Sequence, residues 1–255
     1  MTARRAGTVV SLALASLLGA CMSFYEIPIE TPIQPKLDVS AFRRVLIVGF
    51  VTGGSDEVDA NLETVRLLRS QLRTRSDLTV IEADVLDLAT RLPAAGGDTP
   101  PAQPDQTDPE KKIRSAKDLE PFEHVFGDAA YWKKLGEEYQ EPLIVTGTIL
   151  FTPHQRSGMV ERTQEVIDAY GRRSVVPVRT YQERKGFILN PKFIFIDGRT
   201  GTTLYSESFR EEVLYNAQQN TPALSSYFEL MDRLIPSFLS TLSAQKIRGT
   251  RVLLK

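Results

Sequence analysis

His124 and His154 are the only imidazoles in the chain and Cys21 the only thiol, so proton transfer or soft-metal chemistry would have to rest on these few side chains. Neither histidine stands at ligand spacing from the other or from the cysteine, and the paired donors that hold zinc are missing. No Gly-x-Ser-x-Gly elbow occurs, and no histidine is identifiable by spacing as the partner of a serine nucleophile. Gly53-Gly54-Ser55 sits where a phosphate loop would sit, between an apolar run and a helical pattern. It lacks the Lys-Ser/Thr that such loops carry, and Asp56, Glu57 and Asp59 follow it, so a turn and helix cap is the reading. Asp197 with Thr200 offers oxygens to a cation, but a calcium loop needs more ligands at alternate positions. Glu137-Glu138 and Glu211-Glu212 point to different sides of their elements and read as solvated faces, and Trp132 reads as core. These residues predict no catalytic site, no metal and no cofactor.

Cys21 has another use. It ends Leu18-Gly19-Ala20-Cys21, behind Arg4, Arg5 and the uncharged stretch from Gly7 to Gly19, which is too short to cross a bilayer as a mature helix. The arrangement resembles a bacterial lipobox. The resemblance implies a signal peptide at residues 1–20, cleavage before Cys21, and acyl chains on that residue that hold the chain at a membrane surface. Met22 stands where an aspartate would favour retention at the inner membrane, so the expected address is the outer membrane, facing the periplasm.

Removing residues 1–20 takes away Arg4 and Arg5 and no acid, leaving 29 basic and 32 acidic side chains and a charge of −3. Neither this balance nor any basic stripe suits nucleic acid, which demands cations to replace phosphate counterions. With 42% hydrophobic residues the chain can build a substantial core.

From residue 21 to 40, Pro28, Pro32 and Pro35 with little periodicity predict a lipidated, extended tether of at most about 60 Å. A single domain over 41–255 follows. Val45-Leu46-Ile47-Val48 predicts a strand buried on both faces, and Val58, Leu62, Val65, Leu68 and Leu72 a helical stripe capped by Ser55 or Asp56. Leu78 to Ile81 predicts a second strand. The polar, Pro- and Gly-rich stretch at about 91–115 predicts a disordered insertion. A helix then starts at Asp128, with Ala129, Trp132, Leu135 and Tyr139 toward the core, and stops before Pro142; Leu143 to Phe151 follows as a strand. His154 to Gly171 is polar and fits no element clearly. Val178 to Leu189 and Lys192 to Ile196 predict two strands, the second central, with Phe193 and Phe195 on one side and Ile194 and Ile196 on the other. Asp197, Gly198, Thr200 and Gly201 form the predicted turn from which Thr202 to Val213 returns as a strand. Thr221 as cap and Pro222 as first residue open a last helix with Leu224, Phe228, Met231, Ile235, Phe238 and Leu242 on its apolar stripe, bent or divided at Pro236. Arg251 to Leu254 predicts a short terminal strand.

The expected fold class is α/β, a mixed sheet packed by amphipathic helices in two or three layers with an anticodon-binding-like topology. In order, the elements resemble the α/β domain shared by the curli-secretion lipoprotein family, the amino-terminal domain of the Tol-system propeller protein and the lipoprotein activators of penicillin-binding proteins. Three stretches carry the resemblance: Arg44 to Phe50, Leu135-Gly136 through Leu143 to Ile149, and Phe195 to Ser206. Gln140-Glu141-Pro142 stands where those families read Gly-Ala-Asp. The resemblance implies a non-catalytic envelope domain that binds another protein, with an exposed sheet edge and the 154–173 segment as contact surfaces; a homo-oligomer is compatible with it. The curli family also builds an export pore from long amphipathic strands. Here Arg156, Glu161, Arg162, Glu165, Asp168, Arg172 and Arg173 occupy both alternation phases, against a lipid-facing stave. The synthase activators use a longer tether than this one. A hydrolase or small-molecule binder would need a pocket of convergent polar groups.

Overall fold

The computed structural model describes residues 24–91 and 113–254; Leu18, Gly19, Ala20, Cys21 and most of the predicted insertion lie outside the described residues. The described residues up to Pro35 and from Ala244 form one compact unit, and Lys36–Ser243 form the other.

In the smaller unit, β1 (Phe24–Ile33) pairs antiparallel with the last strand, Gln245–Leu254, from Phe24↔Leu254 to Ile33↔Gln245. The expected tether is thus a strand over most of its length, and the expected short terminal strand is longer and pairs with it. Pro28 and Pro32 share a parity, so a two-stranded ribbon accepts both on its outer edge, where no donor is required.

In the larger unit, β2 (Arg44–Gly54), α1 (Ala60–Arg75) and β3 (Thr79–Ile81) make a parallel crossover. Then come α2 (Leu88–Arg91), a 3-10 helix (Ala116–Phe122), α3 (Glu123–Phe126) and α4 (Ala129–Glu138). The chain continues with β4 (Leu143–Ile167), β5 (Arg173–Asp197), β6 (Thr203–Ser208), β7 (Glu211–Asn216) and α5 (Ala223–Leu242), and β8 is the Gln245–Leu254 strand of the smaller unit. The sheet runs β3-β2-β4-β5-β6, with β7 also on β5; β2 and β4 are parallel, and β4, β5 and β6 antiparallel. It is a mixed α/β sheet with helices on both faces.

Strand alternation sorts the core into two layers. Val45, Ile47, Phe193 and Phe195 pack with Val65, Leu68 and Leu72 of α1 and with Leu230, Met231 and Phe238 of α5. Leu46, Val48, Ile194 and Ile196 pack on the other face with Leu88, Val125, Phe126 and Trp132. The fully buried Trp132 donates its indole N–H to the Val125 carbonyl at 2.9 Å, which satisfies the polar end of a side chain whose burial contributes about 2–3 kcal/mol. The ladder shifts between Ile47 and Gly49, and the backbone groups this displaces are taken up locally. Arg69 donates to the Ile47 carbonyl at 2.8 Å, Asn61 accepts from Phe50 N–H at 2.8 Å, and Thr146 donates to the Gly49 carbonyl at 2.8 Å.

Several elements differ from expectation. The cap of α1 is Asp59, whose carboxylate accepts from Leu62 N–H at 3.0 Å, rather than Ser55 or Asp56. The two strands expected at 178–189 and 192–196 are one strand, β5, that runs through Pro191. The single return strand expected over 202–213 is split into β6 and β7. The two differences have one cause: Pro191 has no N–H to offer on that edge, and Phe209 N–H, in the gap between β6 and β7, donates to its carbonyl at 2.9 Å. In α5 the N-cap is Pro222, without a side-chain cap, and the helix runs undivided through Pro236. Its buried stripe is turned from the expected one. Tyr227 is buried and donates its hydroxyl to the Ala60 carbonyl at 3.1 Å beside Thr64, leaving Leu224 and Phe228 exposed.

Candidate functional site

Several of the residues whose types could do chemistry are engaged in holding the fold. Ser55 N–H donates to the Phe151 carbonyl at 2.7 Å and Gly54 N–H to the Ile113 carbonyl at 2.7 Å, so the amides that would cradle a phosphate are spent on backbone. His124 Nδ1 contacts the Pro121 carbonyl, and His154 Nε2 lies 3.6 Å from Glu212 Oε1. Among the described residues no group of three or more His, Cys, Asp or Glu is placed to hold a metal ion, and no helix is long and apolar enough to cross a membrane.

Asp197, Gly198, Thr200 and Gly201 make the turn from β5 to β6. The Asp197 carboxylate, 5% exposed, accepts from Arg199 N–H at 2.9 Å, Nε at 3.0 Å and Nη2 at 2.9 Å. Burial pushes its carboxyl up, but these hydrogen bonds and the Arg199 charge outweigh burial and hold it below the usual carboxylate range. Its oxygens are thereby committed to Arg199, which also lies over the Phe42 ring at 4.9 Å. The turn seats α4. A Cβ on Gly136 would lie 1.9 Å from the Gly198 carbonyl oxygen, and one on Gly201, where φ is +75°, 1.9 Å from that of Ala129. Leu135-Gly136 and Asp197 to Gly201, two of the stretches that carry the family resemblance, are therefore the two sides of one backbone-to-backbone contact.

Between them, Gln140 and Glu141 have φ of +64° and +56°, a left-handed conformation that non-glycine residues adopt at a cost. Glu141→Gly should raise stability by about 0.5–1 kcal/mol, read as a higher denaturation midpoint at unchanged slope.

One feature stands apart from both core layers, the ribbon. β4 and β5 are 25 residues each and stay in one unbroken register from Leu143↔Asp197 to Ile167↔Arg173. On β4's outer side, β2 pairs only as far as Phe151; on β5's, β7 pairs only from Leu189 to Arg184. Past the Ser157↔Glu183 pair the two strands form a ribbon about 34 Å long at about 3.4 Å per residue. The polar 154–171 segment, unassigned in the sequence, is one strand of this ribbon and its Asp168–Arg172 turn.

Side chains along the ribbon mix types on both faces. Met159 and Tyr181, directly opposite, are 66% and 63% exposed; next to them on the same face come Glu161↔Arg179 and then Thr163↔Pro177. The other face carries Arg156↔Arg184, Val160↔Thr180, Arg162↔Val178 and Gln164↔Val176. Both edges are open among the described residues. At its root lies a cleft of about 610 Å³ lined by Glu57, His154, Lys185, Phe187, Tyr215 and Asn220. Phe187 stacks on Phe151 at 4.7 Å, and Tyr215 donates its hydroxyl to the Glu229 carboxylate at 2.6 Å.

No protein-family model matches the chain, and no curated protein matches it. Among solved structures it is similar to the lipoprotein GNA1162 from Neisseria meningitidis, with 12% identity and a TM-score of 0.33 over 76% of this chain and 96% of that one. It is also similar to a protein described as a neuraminyllactose-binding hemagglutinin homolog from Helicobacter pylori, with 9% identity and a TM-score of 0.36 over 82% of this chain and 86% of that one. At such scores neither likeness carries an inference about function.

Proposed function

We propose that the chain is a bacterial lipoprotein anchored by acyl chains on Cys21 at the periplasmic face of the outer membrane, and that it serves envelope assembly or secretion as a non-catalytic, protein-binding accessory subunit. The observation that carries the reading is the ribbon. An isolated two-stranded hairpin is marginal in water, and one that exposes Met159, Ile167, Val175 and Tyr181 gains stability when another protein covers it. The lipobox supplies the address, and the structural engagement of His124, Ser55 and Asp197 supports a binding role over a catalytic one. Affinity capture of the full-length tagged lipoprotein after mild crosslinking in cells should recover an envelope protein. Recovery of none above background overturns the reading.

The export-channel reading gains one point from the ribbon, which is long enough to reach through a bilayer. Charges on both faces oppose it, since Arg near the midplane costs about 2–4 kcal/mol. Rings of the detergent-extracted protein in negative stain would establish that reading, and a monodisperse monomer would end it.

A further inference from the structure

Every second residue of an antiparallel ladder turns its N–H and C=O toward the same neighbour, so a few hydrogen bonds fix the phase of the whole ribbon. The carbonyl of Phe151 accepts from Ser55 on the outer side of β4 at 2.7 Å. Those of Glu183 and Pro191 accept from Ala217 at 3.1 Å and Phe209 at 2.9 Å on the outer side of β5. Asp168 N–H donates across the turn to Arg172 at 3.0 Å. With no register shift between the strands, even-numbered residues bond each other and odd-numbered residues face outward on both.

Pro153, Pro177 and Pro191 all fall on outward positions. Pro191 coincides with the gap between β6 and β7, and Pro153 with the end of β2 pairing. Pro177 lies in the middle of β5's free edge and removes the donor an added strand would need there. β4's free edge, Gln155 to Ile167, has no such block. We infer that this edge of β4 is a strand-addition site for an extended partner segment carrying acidic residues on one face; the inference rests on the protein-binding reading above.

Charge selects the occupant. Glu161 faces Arg179 across the ladder, and Glu165 lies 3.6 Å from Arg173. Arg156 faces Arg184 and Arg162 faces Val178; among the described residues neither closes an ion pair, although Arg156 and Arg184 line a shallow cleft with Glu212 and Glu229, and Arg162 lines one with Glu183. A like-charged pair directly opposite is unfavourable, and a neighbouring strand that adds anions relieves it further. A strand on β4 with carboxylates beside Arg156 and Arg162 does so, and its backbone satisfies the outward groups of Ser157, Met159, Glu161, Thr163 and Glu165. A second copy is a poorer occupant. Pairing β4 with the β5 edge of another copy meets Pro177, and an antiparallel self-pairing of β4 edges that places Arg156 opposite Arg162 sets like charges together.

The test uses the full-length lipoprotein in detergent and a labelled peptide of alternating valine and threonine, with glutamates in place of the threonines that would face Arg156 and Arg162. Fluorescence anisotropy should show it binding at least about tenfold more tightly than its lysine counterpart, and Ser157→Pro, which removes one outward donor and leaves the β5 ladder intact, should weaken it about tenfold or more. Arg156→Glu with Arg162→Glu, which leaves the backbone untouched, should reverse the preference between the peptides. Equal binding of the two peptides, binding of neither, or binding that survives Ser157→Pro would overturn the edge assignment. A cellular partner still captured by the Ser157→Pro protein sinks the edge and leaves the binding function standing, whereas failure of the unaltered protein to capture any partner sinks that function itself.

Discussion

Gly136→Ala should cost the larger unit at least about 3 kcal/mol and leave little folded protein, because the added methyl has nowhere to go. Its Cβ would lie 1.9 Å from the Gly198 carbonyl oxygen, 2.5 Å from the carbonyl carbon and 2.6 Å from Cα, all backbone atoms. The turn that holds them cannot retreat. Gly198 N–H donates to Pro142 at 3.0 Å, Gly201 N–H to the Asp197 carbonyl at 2.7 Å, and the Asp197 side chain is tied to Arg199. Nor can α4 lift away without dislodging the buried Trp132 from the second core layer. Against a net stability of about 5–15 kcal/mol such a loss is a large fraction of the whole. Gly158→Ala is the control: nothing lies within 4 Å of its Cβ, and alanine suits a strand at least as well as glycine. Denaturant titration followed by far-ultraviolet circular dichroism measures both, and a Gly136→Ala midpoint near that of the unaltered protein would show that α4 and the turn do not need this contact.

The same contact explains why the fold was legible. Apolar runs such as Val45 to Val48 and Phe193 to Ile196, short and rich in β-branched and aromatic residues, read as strands buried on two faces, and the glycines of the turn mark where backbone must approach backbone. Local chemistry of this kind survives in a single sequence. Long-range pairing does not: a strand such as β1, whose partner among the described residues lies at the other end of the chain, has no local signature beyond alternation, and Pro28 and Pro32 mask even that. The ribbon was hidden for a different reason. Its residues are exposed on both faces, so the hydrophobic period that reveals a half-buried strand is absent from 154 to 183. Pro153, Pro177 and Pro191 all stand at odd positions, as they must if they lie in paired strands with their missing donors on outer edges. The proposed strand-addition edge has no signature in side-chain types, because the groups it would use are main-chain N–H and C=O, which every residue carries.

Cutting the ribbon short should separate its two possible roles. Removing Ser157 to Glu183 and joining Arg156 to Arg184 through Asn-Gly closes the hairpin on an even-numbered, hydrogen-bonded pair, the flank that a two-residue type I′ turn requires. None of the deleted side chains belongs to either core layer, and the lost backbone bonds are those of the ribbon itself together with Ala217 to Glu183. The shortened protein should therefore melt within about 2–4 °C of the unaltered one, the shift that about 1 kcal/mol produces in a domain of this size. Its capture of an envelope partner should fall to background. A collapse of the melting temperature would make the ribbon part of the scaffold, and undiminished capture would move the binding surface elsewhere, with the cleft at its root, where His154, Lys185 and Tyr215 converge, next to be tested. The expected pair of results, an unchanged fold and a lost partner, is what a strand pair yields when it is maintained for its exposed edge and makes no contribution to the core.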